Sequence, residues 1–100
     1  MSSDVKRKRT FALAEAQELL GHIRSITEEA VKETARLSDA IQLLSESDPI
    51  RESAAKELQD VIATWTSKLR SMGLEVKGLW LVDFDNGEGY YCWKYPESVI

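Results

Sequence analysis

The dipeptide Asn86-Gly87 constrains this chain more than any other feature. Asn-Gly favours the centre of a two-residue β-hairpin, because a type I′ turn needs positive φ at both central residues. Strand-like segments flank it, Leu79-Trp80-Leu81-Val82-Asp83-Phe84 before and Tyr90-Tyr91-Cys92-Trp93-Lys94-Tyr95 after. Centring the turn on the pair sets Asp83 opposite Tyr90, Val82 opposite Tyr91, Leu81 opposite Cys92 and Trp80 opposite Trp93. Strand side chains alternate between faces. One face then carries Trp80, Val82, Phe84, Tyr91, Trp93 and Tyr95, and the other Leu79, Leu81, Asp83, Tyr90, Cys92 and Lys94. The first is almost wholly apolar, and two strands alone are marginal in water. That face must meet a helix, a partner chain or a ligand. Gly89 leaves room for a bulge or a longer loop, which would change the register.

Upstream, the pattern is helical. A heptad seam runs through Ala16, Leu20, Ile23, Thr27, Ala30, Thr34, Leu37, Ile41 and Leu44, as in a coiled coil. Its middle, Thr27-Ala30-Thr34, is small or polar. Ser45-Glu46-Ser47-Asp48-Pro49 ends it, and Pro49 suits the first turn of a new helix capped by Asp48 or Ser47. The second helix buries Ala54, Leu58, Val61, Ile62, Trp65, Leu69 and Met72, and Gly73 stands at its expected C-terminal cap. The helices span about 11–46 and 50–72, about 54 Å and 35 Å long at 1.5 Å per residue. The first therefore overhangs the second by about 19 Å. In the overhang the apolar face broadens to Phe11, Leu13, Ala16, Leu19, Leu20, Ile23 and Ile26, onto which the aromatic hairpin is expected to fold, unless another subunit packs there. The expected fold is α+β, mainly α: a long antiparallel helical hairpin followed by a C-terminal β-hairpin (about 79–95) packed on the first helix.

One hundred residues make a single domain, 11–100, behind a tail of residues 1–10. Residues 1–9 hold Lys6, Arg7, Lys8 and Arg9 against Asp4, and the other 91 residues hold nine basic and sixteen acidic side chains, a net of −7. An acidic body thus carries a short basic, flexible arm. No segment approaches the roughly 18 apolar residues of a membrane span, and no apolar stretch follows the basic start as in a secretory signal. The lone Cys92 permits no internal disulfide and fits a reducing cytoplasm.

Four ordered blocks resemble a known family. They are Phe11-Ala12-Leu13-Ala14-Glu15-Ala16-Gln17-Glu18-Leu19-Leu20, Gly73-Leu74-Glu75-Val76-Lys77, Leu81-Val82-Asp83-Phe84 and Tyr91-Cys92-Trp93-Lys94. Together they are similar to domain-of-unknown-function family 2203, over nearly the whole chain beyond residue 10. The resemblance implies the helical hairpin, the two strands and a bacterial origin, and it implies no activity. The chain departs from the family pattern in several places. Ala12 stands where the family has a capping Thr, so Thr10 is the candidate cap. Gly21 replaces a frequent Pro, the stretch between Lys77 and Leu81 is short, and Ile100 precedes the family's usual Trp-His pair.

No residue pattern specifies catalysis, a metal or a cofactor. Asp83-x-Asp85-Asn86-Gly87-Glu88 fails as a calcium loop, because counting from Asp83 the glycine is fifth and the twelfth residue is Lys94. Cys92 and His22 are too few ligands for zinc. Cys92 reads as a small packing residue and His22 as a surface residue. Asp83, between Val82 and Phe84, reads as a structural acceptor from Tyr90 or a helix terminus, since a catalytic carboxylate needs a second titrating group. Trp80, Tyr91 and Trp93 read as core or subunit interface before base-stacking groups. Lys6, Arg7, Lys8 and Arg9 are candidate phosphate contacts, supporting only weak, salt-sensitive nonspecific binding.

The leading expectation is a noncatalytic interaction module that self-associates, as a homodimer, through the aromatic hairpin, the helix overhang or both. One alternative is a nucleic-acid-associated protein using the arm and the aromatic face. Another is a ligand binder or enzyme with a site near Asp83, Tyr90 and Cys92.

Overall fold

The computed structural model describes residues 9–99. Helix α1 spans Leu13–Gln42 and α2 spans Pro49–Ser71; strands β1 (Glu75–Gly78), β2 (Leu81–Asp85) and β3 (Tyr90–Lys94) follow. The strands form an antiparallel sheet in the order β1-β2-β3.

Helix α1 is shorter than the heptad pattern suggested, whereas α2 has the expected length, and local chemistry sets their ends. At the start of α1 the cap is Ala12, not Thr10: the Glu15 carboxylate accepts the Ala12 N–H at 3.1 Å, half of a capping box. The end of α1 is held by α2, where the Arg51 guanidinium donates to the carbonyls of Leu44 (3.0 Å) and Ile41 (3.3 Å). A cation there opposes the negative end of the helix dipole. Asp48 caps α2 by accepting the Ile50 N–H at 2.9 Å, with Pro49 in the first turn. Gly73, at φ 90°, closes α2: its N–H donates to Arg70, and that of Leu74 donates to Leu69. That bond pair defines a Schellman motif, and the buried side chains of Leu69 and Leu74 share its core. With 30 and 23 residues, α1 overhangs by about 10 Å rather than 19.

Every buried residue of α1 lies on the heptad seam: Ala16, Leu20, Ile23, Thr27, Ala30 and Leu37. Thr27 is no mere filler, since its hydroxyl accepts the buried Trp65 indole N–H at 2.8 Å. The seam of α2 is covered much less. Only Trp65 and Leu69 are buried, while Ala54, Leu58, Val61, Ile62 and Met72 are half-buried.

The expected C-terminal β-hairpin is present with a third strand, β1, ahead of it. The sequence hint was the alternation Leu74-Glu75-Val76-Lys77, too short to stand out. The β2–β3 register differs by two residues from the expected one. Asp85 pairs with Tyr90, Phe84 with Tyr91, Asp83 with Cys92 and Val82 with Trp93. The central turn residues are Gly87-Glu88, and only Gly87 has positive φ (95°), as in a type II′ turn. Asn86 contributes its side chain instead, its amide oxygen accepting from Glu88 (2.9 Å) and Gly89 (2.6 Å). A shift of two keeps each residue on its face. Val82, Phe84 and Trp93 are accordingly buried together, in one core with Phe11, Ala16, Leu20, Ile23, Trp65, Leu69 and Leu74. The Phe11 and Phe84 rings meet edge-on at 5.4 Å, and the Phe11 N–H donates to Asp85 at 2.7 Å. The sheet thus shares its core with the first half of α1, and β1 leads it directly out of α2.

Trp80 is not opposite Trp93. It sits in the two-residue turn between β1 and β2 at φ 61°, a position that usually takes Gly or Asn. Its ring packs edge-on against Trp65 at 4.9 Å, and its carbonyl accepts the Tyr95 N–H. Ring burial there offsets the backbone strain, about 1–2 kcal/mol for a left-handed residue bearing a Cβ. Beyond β3, Glu97 folds back: its carboxylate accepts the Lys94 N–H (2.8 Å), its own N–H donates to the Lys94 carbonyl (2.9 Å), and its carbonyl accepts the Trp93 indole N–H (2.7 Å).

Candidate functional site

The candidate site residues divide between the two faces of the sheet. Trp93 is fully buried, while Trp80 and Tyr91 are half-buried against the core, which makes them packing groups in this chain. Asp83, Tyr90 and Cys92 lie on the outer face with Glu75 and Lys77. The register sets Asp83 directly between Glu75 on β1 and Cys92 on β3. The expected Tyr90 partner for Asp83 is therefore replaced by Cys92, because Tyr90 lies two residues further along β2, opposite Asp85.

Asp83 is only 7% exposed although it faces outward. Cys92 is exposed beside it, and hydrogen bonding to the Asp83 carboxylate, then desolvation and the charge of that carboxylate, raise the thiol pKa. A thiol held protonated is a poor nucleophile and a poor metal ligand. The Lys77 ammonium lies 3.3 Å from the Glu75 carboxylate and 5.4 Å from the centre of the Tyr90 ring. Its pKa is raised by the hydrogen bond and charge of Glu75, then by Tyr90 and Asp83. The ion pair on this face, Lys77 with Glu75, runs along β1. Among the described residues no group of three or more His, Cys, Asp or Glu side chains could hold a metal ion. His22 is exposed on α1.

Of the basic arm, Lys6, Arg7 and Lys8 lie outside the described residues. Arg9 is tied into the fold. Its guanidinium donates to the Met72 carbonyl at 2.9 Å, lies 4.4 Å from the Phe11 ring centre, and stands 4.0 Å from the Glu15 carboxylate. It bridges the start of α1 to the end of α2.

A second feature was not foreseen from the sequence. A groove runs between the helices on an apolar floor of Ile26, Ala30, Val61 and Trp65. Glu29 and Glu33 rim it on α1, and Thr64 and Lys68 on α2. Arg36 pairs with Glu33 and approaches Glu57 at 3.9 Å. The signal for the groove was present in the sequence, where Ile26 belongs to the broadened apolar face of α1 and Val61 to the expected apolar face of α2.

No helix among the described residues is long and apolar enough to cross a membrane. The architecture defines an α+β module, a helical hairpin closed at one end by a three-stranded antiparallel sheet. The chain belongs to the family described as uncharacterized conserved protein (DUF2203), whose profile matches residues 9–100. No curated protein and no solved structure matches it.

Proposed function

We propose that this protein is a noncatalytic interaction module that works as a homodimer in the cytoplasm of a bacterium, its helical hairpin completing a coiled-coil-like bundle with a second copy. The observation that carries this reading is the unfinished seam of α2. From Pro49 to Thr64 no residue of that helix is buried, although Ala54, Leu58, Val61 and Ile62 follow its apolar spacing. The molecule is also thin. Its extents are 49 × 35 × 18 Å, and its radius of gyration is 16.4 Å against about 13 Å for a compact chain of this length. At layer spacings of about 10 Å, 18 Å holds two layers and not three. One face of the helix pair therefore has none of the described residues upon it. The raised pKa of the Cys92 thiol makes it a weak nucleophile, which favours the noncatalytic reading.

The test is absolute mass by light scattering across a wide concentration range, at low and high salt. A dimer that dissociates on dilution is the expected result; a monomer at every concentration would refute the reading.

A further inference from the structure

We infer that the surface joining two copies is the groove between α1 and α2, and that the two-fold axis runs along the helices. The inference rests on the self-association proposed above and specifies its geometry.

Charge selects the occupant. The α1 rim is acidic and the α2 rim carries the cation Lys68. Among the described residues neither Glu29 nor Lys68 has an ion-pair partner, whereas Glu33 is held by Arg36. Two copies can stack groove to groove about a two-fold axis in either of two directions. An axis across the helices lays α1 on the partner's α1 and sets acid against acid. An axis along them lays each α1 on the partner's α2 and sets Glu29 against the partner subunit's Lys68, twice per dimer. Only the second is self-complementary, and a C2 interface must be so. The floor fits the same arrangement: Ala30 is small enough for close helix approach, and Ile26 and Val61 gain burial from knobs of the opposing helix. The result is a four-helix bundle with the two sheets at one end and the two interhelical turns at the other.

Thr64 is exposed on the rim and has no role in the monomer core, so Thr64→Arg places bulk and charge in the interface without disturbing the fold. It is expected to weaken dimerisation on the order of a hundredfold. Lys68→Glu alone should weaken it about three- to tenfold, and the double variant Glu29→Lys/Lys68→Glu should recover most of that loss. Circular dichroism confirms that each variant is folded. If wild type dimerises and Thr64→Arg does too with unchanged affinity, the groove is refuted while the self-association stands; Leu43→Lys or Ile50→Lys would then locate the contact at the interhelical turn. If the double variant is weaker than either single one, the axis direction is wrong. If wild type is monomeric throughout, the inference and the reading beneath it fall together.

Discussion

The two ends of the helical hairpin are built from similar sequence and solve the burial problem differently. Near the sheet, α1 and α2 place Ala16, Leu20, Ile23, Trp65 and Leu69 in one core with Phe11, Leu74, Val82, Phe84 and Trp93. Near the interhelical turn the same seam buries Leu37 alone, and Leu43 and Ile50 are 87% and 63% exposed. The contrast follows from layer count. Among the described residues a third element lies against the helices at one end and none does at the other. Helix pairing alone cannot enclose a seam, because each helix shields only one side of its neighbour. The sheet end encloses its own core, whereas the turn end carries apolar surface that none of the described residues covers.

This contrast can be tested by substitution at each end. The largest effect is expected from Trp93→Ala, which empties the most voluminous fully buried site and frees the Glu97 carbonyl. Denaturant unfolding should show a loss of about 3–5 kcal/mol. Trp65→Phe removes the indole donor and leaves the buried Thr27 hydroxyl without it, for about 1–3 kcal/mol, and Thr27→Val in that background should restore part of the loss. Gly73→Ala forces a Cβ into a residue with φ 90° and to within 2.7 Å of the Arg9 side chain. About 1–2 kcal/mol is expected, and Arg9→Ala should recover little of it, because alanine keeps the Arg9 Cβ that makes the 2.7 Å contact. At the turn end, Leu43→Ser and Ile50→Ser should each change unfolding free energy by less than about 0.5 kcal/mol when measured at dilutions that favour the monomer. A large effect there would mean that the turn end is as well enclosed as the sheet end.

The smallest effect concerns pH. The Cys92 thiol is more basic in the folded chain than in the unfolded one, so its bond to Asp83 stabilises fully below the ordinary thiol pKa. That contribution is lost as pH rises through the folded value. Alkylation of Cys92 should accelerate only above the ordinary thiol range, and Asp83→Asn should move that onset down.

Much of this was legible in the chain. Period-two alternation sorted the hairpin faces correctly even with the register displaced, because a displacement of two preserves parity. The heptad seam named every buried residue of α1, and Asp48, Pro49 and Gly73 marked the limits of α2. What escaped was decided by competition between local options or by distant partners. Asn86 uses its side chain as an acceptor rather than entering the left-handed region, and that choice moved the turn by one residue. Trp80 accepts an unfavourable φ because Trp65 waits across the core, which neither residue reveals alone. Arg51 shortens α1 from another helix, and Arg9, written as part of a basic run, closes the junction between helix ends. The outer-face pairing of Asp83 with Cys92 followed from the register and was hidden with it.

The return of Glu97 onto Lys94 has a consequence for how copies of this chain can accumulate. Exposed strand edges invite backbone-to-backbone addition, the route to open-ended fibres. Here the outward amide and carbonyl of Lys94 are already occupied, and the opposite border, β1, is interrupted by an irregularity between Val76 and Gly78. The C-terminal end of β3 and the irregular β1 border thus discourage recruitment of another strand. Association is thereby steered away from the backbone and toward side chains, where a contact can saturate after one partner and growth stops.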